Sequence, residues 1–532
     1  MMKKRLVSLT LCAAVLSATL PTAAFAAGEE IPCESHPTHT ADCGYWAGGP
    51  ESLCTHACAL CTAQAGDTAQ DSSAVQNPET NGAIAPPAVP TSDSAPITGD
   101  GYSFDPDTGT LTISSDSGSA GWKRGDIAQT DVTSVVVENG VTKIENNAFL
   151  YCRKLTTVKL PNSLNSIGNT AFAYCGELTS LTLPEGLKSI GAGAFTNCTS
   201  LTSLELPEGL KSIGDSAFFN AGLTTVKLPE GLESIETSAF NGCTRLTTVT
   251  LPDDLESIPT AMFASCTNLK LSSLPSSVTS IGSGAFRDCK ALTLVTLPEG
   301  LESIGEGAFE RCVSLTSLEL PEDLESIGVS VFNGCTGLTT VTLPNDLESI
   351  PHGMFDGCTS LKLRSLPNSV TSIGQRAFND CTSLTSLELP ERLESIASEA
   401  FQGCTSLTLT ELPSGVTSIE DKVFQRCSSL ALTELPSGVT SIGDYAFDSC
   451  TGLTTMTLPE GLKSIGQRAF QYCTSLTALT FPMSSAPDLG YIAFGGIRPQ
   501  LFLCPPGPRD TIRGTGPLMS AAGWSPARRL KT

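Results

Sequence analysis

Along most of this chain apolar and polar positions recur every 23 residues, in the order Ala-Phe-x-x-Cys-x-x-Leu-x-x-Leu-x-Leu-Pro-x-x-Leu-x-Ser-Ile-Gly. In one unit the apolar set is Ala194, Phe195, Cys198, Leu201, Leu204, Leu206, Leu210 and Ile213, punctuated by Pro207 and Gly214. Fifteen phenylalanines, from Phe149 to Phe470, mark fifteen units with one slip: Phe218 and Phe240 stand 22 apart, and Ala221 takes the cysteine place between them. A unit this short cannot bury its own apolar face, so neighbours must stack and share a continuous core. The pattern therefore predicts a β-rich repeat solenoid, and counting domains by length fails.

Within Leu201-Thr202-Ser203-Leu204-Glu205-Leu206-Pro207 the alternation points Leu204 and Leu206 inward and Ser203 and Glu205 outward, and Pro207 ends the ladder. Stacked at strand spacing, such segments predict one parallel sheet about 70 Å long with edges only at its two ends. The return path through Leu210 and Ile213 is too short for a helix and predicts short strands or 3₁₀ turns, with Gly214 easing the turn. The cysteines fall in the inward register as a ladder of fourteen. Identical side chains stacked in register point the same way, which suits disulfides poorly, so reduced thiols packing as small hydrophobes are expected.

Four units depart from the pattern as Leu-x-Leu-x-x-Leu-Pro, at Leu271, Leu363, Leu409 and Leu432. Either a bulge keeps the displaced leucine buried, which is the expectation, or it projects outward. Leu294 differs, because Val295 already fills the inward place, and it is the candidate exposed apolar contact. A longer echo runs from Thr248 to Pro259 and returns 92 residues later from Thr340 to Pro351, as if four units were copied as a block.

The ends are of other kinds. Residues 1–26 carry Lys3, Lys4 and Arg5, an apolar run from Leu6 to Leu20, and Ala24-Phe25-Ala26, the three parts of a secretory signal. Residues 27–61 form a Cys/His-rich module and 62–99 a Pro/Ser/Ala linker read as disordered; 100–141 form a β cap, 142–481 the repeats, and 482–532 an atypical last repeat and C-terminal cap. The cap is expected as a hairpin around the turn at Asp105-Pro106-Asp107-Thr108-Gly109. In the module Cys33, His36, His39, Cys43, Cys54, His56, Cys58 and Cys61 offer enough ligands for zinc, while disulfides compete for the same sulfurs outside a cell; both remain open.

Losing the three basic residues of the signal takes the formal charge from −23 to −26. That charge repels phosphate backbones and anionic lipid, so nucleic-acid binding and peripheral lipid binding are not expected, and with no other stretch long and apolar enough to span a bilayer, neither is membrane insertion after signal cleavage. The repeats hold a single histidine, His352, with no phosphate loop, nucleophile elbow or metal motif, and no cofactor or catalysis is expected of them. Solenoids make contacts along their long outward faces. The partner-binding candidates are accordingly the outward strand positions Lys159, Thr182, Glu205, Lys227, Thr250, Thr296, Glu319, Thr342, Glu388, Glu411 and Glu434, together with Leu294.

The repeat resembles the BspA-like class of bacterial leucine-rich repeats over roughly Val141 to Pro482, and Asp107 to Ile113 resembles the lead-in of such proteins. The stretch from Cys504-Pro505-Pro506-Gly507 to Trp524 resembles a degenerate form of their ending. The resemblance implies a secreted or cell-surface protein that adheres to proteins of a host or neighbouring cell. A structural surface protein without a specific ligand is the alternative, a metal-dependent activity in the Cys/His module is a third reading, and the resemblance names no ligand.

Overall fold

The structure is a computed structural model, and it describes residues 94–124, 127–483, 487–497 and 501–503. The signal, the Cys/His module with its eight candidate ligands, and the C-terminal segment beyond 503 lie outside the described residues.

The repeats form a solenoid whose adjacent turns are joined by three hydrogen-bond ladders, two of them interrupted at particular turns. The first runs through the short strand before the proline, as where Thr225–Lys227 lies parallel to Thr248–Thr250. The second runs through Ser-Ile pairs, which form two-residue strands in register, Ser280–Ile281 on Ser303–Ile304 for example. This answers the return path: short strands, not 3₁₀ helix. The third surrounds the phenylalanine, where the Phe172 amide donates to the Ala194 carbonyl at 2.8 Å and the Tyr174 amide to Thr196 at 2.7 Å.

That third ladder requires left-handed backbone twice per turn, two residues before and two after each phenylalanine. Asn147, Ser238 and Arg376 show it on the first side, and Tyr151, Asn197 and Asp288 on the second. Glycine fills either place where it occurs, as at Gly284 and Gly403.

The core is a column of rings. From Phe149 to Phe470 successive centroids lie 5.0 to 5.9 Å apart. Trp122 closes one end, stacked 6.4 Å from Phe149, fully buried, with Nε1 donating to the Ala148 carbonyl at 2.9 Å. Phe494 continues the column at the other end, 5.6 Å from Phe470. Deep burial of so many rings supplies the hydrophobic drive that no single turn could provide.

The N-terminal cap is larger than a hairpin. Strand β1 (Ile97–Gly99) pairs antiparallel with β2 (Tyr102–Asp105), which pairs antiparallel with β3 (Thr110–Ile113). Strand β4 (Ser134–Val137) then runs parallel to β3 and passes the ladder to Thr157–Lys159. Ordered strand thus starts at Ile97, inside the stretch expected to be linker. At the far end Asp488–Leu489 and Leu501–Leu503 extend the second and first ladders, so the last turn is atypical in sequence but regular in pairing.

Two expectations need correction. The strand-face ladder is not one long sheet but a series of short parallel pieces. In the variant turns Leu271, Leu409 and Leu432 are buried and Leu363 partly so, with two outward residues between inward leucines instead of one. That extra residue, as in a bulge, leaves only isolated bridges such as Ser273 to Thr296 and Ser365 to Glu388.

Gly214 and its equivalents, second, do not ease a turn, since none of them has positive φ. They permit close approach: a Cβ on Gly305 would lie 2.5 Å from the Ser283 nitrogen, and one on Gly214 would lie 2.6 Å from that of Ala192. The amide of each such glycine donates to the preceding turn's isoleucine, as from Gly305 to Ile281 at 2.7 Å. The Ser-Ile ladder is cut in three places, between Ile235 and Ile258, Ile327 and Ile350, and Ile396 and Ile419. At the first two the glycine is replaced by Pro259 and Pro351, which have no N–H to give. At the third it is Glu420, next to a turn that carries Ala397; a side chain alone does not break the ladder, since the Glu236 and Ala397 amides still donate to Ile213 and Ile373 at 3.0 and 2.9 Å.

Candidate functional site

All twelve strand-face candidates point outward and are exposed: Lys159, Thr182, Glu205, Lys227, Thr250, Leu294, Thr296, Glu319, Thr342, Glu388, Glu411 and Glu434. The inward residue beside each is held by the core, so the outward one is fixed in direction by the pleat; Leu318 beside Glu319 and Leu387 beside Glu388 are examples. The ladder places Lys227 beside Thr250 and Glu319 beside Thr342, while single bridges place Thr296 beside Ser273 and Glu388 beside Ser365. Glu411 shares no bridge with either neighbouring turn among the described residues.

Leu294 is 55% exposed, the most exposed large apolar side chain among the described residues, with Val295 buried behind it. Lys227 is committed to an ion pair, its Nζ 2.7 Å from Glu208 Oε1. The hydrogen bond and charge of that lysine lower the Glu208 pKa, and those of the glutamate raise that of Lys227. Most of the face is therefore hydroxyls and carboxylates not consumed by the fold, with one apolar projection.

Sequence reasoning missed a row of threonine hydroxyls beside this face. Thr247 Oγ1 donates to the Thr224 carbonyl at 3.0 Å, Thr339 to Thr316 at 2.9 Å and Thr408 to Thr385 at 2.8 Å. These hydroxyls join adjacent turns where the strands begin. The signal was present as the threonine that follows the first leucine in most units.

The fourteen repeat cysteines are buried and unbridged. They are more than space-filling, since each thiol from Cys175 onward donates to the carbonyl of the phenylalanine one turn before, at 2.9 to 3.2 Å. Burial pushes the thiols of Cys198, Cys243 and Cys335 up to about 12, so they stay protonated and unreactive at neutral pH. His352 lies on the turn around the phenylalanine, not among the strand-face candidates, and its carbonyl accepts from the Ser330 amide at 2.8 Å as an ordinary rung. Among the described residues no group of three His, Cys, Asp or Glu side chains could hold a metal ion, and no helix is long and apolar enough to cross a membrane.

With this geometry in place, comparison with known proteins gives a consistent picture. The family description "BspA type leucine rich repeat region" matches residues 127–247, 188–312, 217–337, 256–385 and 371–497. A leucine-rich repeat protein from Bacteroides ovatus is 28% identical, with a TM-score of 0.56, the match covering 74% of this chain and 97% of that one. A leucine-rich cell surface protein from Faecalibacterium prausnitzii is 25% identical over 72% of this chain and 94% of its own, with a TM-score of 0.39. A leucine-rich repeat protein from Eubacterium ventriosum is 22% identical over 66% and 92%, with a TM-score of 0.43. No curated protein matches the chain.

Proposed function

The chain belongs to the family of BspA-type leucine-rich repeat proteins, and on that premise we propose that it is a secreted or surface-displayed binding protein whose strand face meets a protein of a host or neighbouring cell. The observation that carries this reading is the strand face itself, twelve outward residues held in fixed directions and mostly without side-chain partners among the described residues. Leu294 supplies the apolar centre that such a contact needs, and the hydroxyls and carboxylates around it supply a polar surround. Secretion rests on the three-part signal in residues 1–26. The role we propose is one of binding along that face.

The copied block adds a feature to this reading. Thr248 and Thr250 in one copy match Thr340 and Thr342 in the other, and all four are exposed. Two equivalent surfaces on one rigid stack favour a repetitive or oligomeric partner through avidity.

Residues 33–61 are proposed to hold either zinc or disulfides. Metal analysis of the purified chain, with thiol titration, decides between them.

The binding proposal is tested by measuring attachment of residues 27–532 to matrix proteins, mucins and bacterial cell walls, beside a Leu294→Ser, Glu319→Lys, Glu388→Lys variant. Saturable binding lost in the variant supports it. Binding that the variant retains moves the site off this face, and attachment only to the producer's own wall supports a structural surface protein.

A further inference from the structure

The second left-handed position of each turn, two residues after the phenylalanine, holds a feature the strand face does not explain. Glycine or asparagine suits that backbone, and Gly242, Gly334, Gly357, Gly403, Asn197 and Asn220 occupy it. In the first two turns it is filled instead by Tyr151 and Tyr174, at φ of 63° and 62°. A bulky side chain there is strained, and the strain is not offset by burial, for Tyr174 is 37% exposed.

These two rings lie on each other with centroids 4.7 Å apart and a tilt of 32°. The guanidinium of Arg153 sits 5.7 Å from the centre of the Tyr151 ring, and among the described residues no carboxylate pairs with it. The next two turns continue the row with amides. Asn220 Nδ2 donates to Asn197 Oδ1 at 2.6 Å, which leaves the Asn197 amide nitrogen and the Asn220 amide oxygen without partners among the described residues. Over four successive turns the row therefore reads guanidinium, two aromatic rings and two amides with a spare donor and a spare acceptor.

We propose that this row is a binding site for a short glycan carrying a carboxylate. The exposed Tyr174 ring, backed by Tyr151, takes the apolar face of a pyranose, the Asn197 and Asn220 amides hydrogen-bond its neighbour's hydroxyls, and Arg153 pairs with the carboxylate. An extended peptide is the poorer fit. The backbone groups along the row are already spent in the third ladder, Tyr151 donating to Ala173 at 2.9 Å and Asn197 to Phe219 at 2.8 Å, so no strand can add to it. The site lies on a different ladder from the strand face, and the two readings stand or fall separately.

The test is binding of the full secreted chain to 3′-sialyllactose, tri-galacturonate and lactose, by saturation-transfer NMR and calorimetry. The charged sugars should bind and lactose should bind more weakly. Tyr174→Asn places at this position the residue that Asn197 and Asn220 already show to fit, so the melting temperature should hold or rise while sugar affinity falls at least tenfold. Arg153→Gln should abolish the preference for charged over neutral sugar. No saccharide binding at millimolar concentration overturns the proposal, as does unchanged affinity in Tyr174→Asn. Loss in Tyr174→Asn of binding to a protein, without any sugar bound, overturns it too and reassigns the row to a protein contact.

Discussion

The thiol of Cys358 donates to the carbonyl oxygen of Phe332 at 3.1 Å, and the same oxygen accepts the Cys335 amide at 3.0 Å. The thiol contact repeats from Phe149 to Phe447 except at one place. Phe195 has no thiol donor, because Ala221 stands in the cysteine position in the short turn. Cys358→Ala removes one sulfur contact and its hydrogen bond and is expected to cost about 1 to 2 kcal/mol. Ala221→Cys should stabilise by about 0.5 to 1 kcal/mol. Urea denaturation of both variants checks the signs, and a destabilising Ala221→Cys would show that the short turn has no room for sulfur.

Alkaline pH should unfold the protein earlier than its acidic composition suggests. The repeat thiols titrate near 9.0 when unfolded, but burial holds Cys198 and Cys243 up to about 12 in the fold. Their contribution is complete below the unfolded value. Above it the unfolded chain sheds protons that the native state keeps, so stability falls as pH rises toward 12, by about 1.4 kcal/mol per pH unit for each such thiol. Thermal melts from pH 7 to 11 should show a steep decline beginning near pH 9. A flat profile would mean that the thiols are reached by solvent in the native state.

Gly305→Ala puts a methyl group 2.5 Å from the Ser283 nitrogen and must force two turns apart. A loss of about 1 to 3 kcal/mol is expected, as for other overpacked sites. Glu420→Gly is the converse, restoring a residue that lets the turn close on Ile396. It should raise stability and protect the Ser418 to Glu420 amides from hydrogen exchange. Equal exchange in both forms would place the cause of that gap elsewhere.

Phe309 stacks between Phe286 and Phe332, 5.4 Å from one and 5.9 Å from the other. Phe309→Ala should cost about 3 to 5 kcal/mol and, in a stack where each turn touches only its neighbours, split the melting curve into two transitions. Leu294→Ser, on an exposed side chain, should leave the melt unchanged. Calorimetry distinguishes these outcomes, and a single transition in the Phe309 variant would mean that the column tolerates a missing ring.

Much of this fold was legible because the period is strict. Phe195, Leu204, Leu210 and Ile213 point inward as their spacing demands, and the β2 to β3 hairpin caps one end as its turn sequence suggested, whereas the stacking of Trp122 on Phe149 was not foreseen. What escaped was carried by the backbone. Alternation foretold a continuous sheet, because the extra residue in Leu271-Ser272-Ser273-Leu274 changes pairing without changing the apolar count. The glycine after each Ser-Ile looked like a turn residue because sequence does not show how near the next turn comes. The outward direction of Glu319 and Leu294 was readable from period two. The tyrosine row was not, because left-handed backbone at Tyr151 and Tyr174 has no period-two signature.

The hidden cysteines impose an order of events on the making of this molecule. Once a turn closes, its sulfur has neither solvent access nor the ionised form that oxidants attack. Before it closes, fourteen near-equivalent thiols on one chain can cross-link in many wrong ways. In an oxidising compartment the chain must therefore wind up faster than oxidation proceeds, and because every contact is with an adjacent turn, winding can start at any turn and spread. Local topology is what lets winding outpace oxidation.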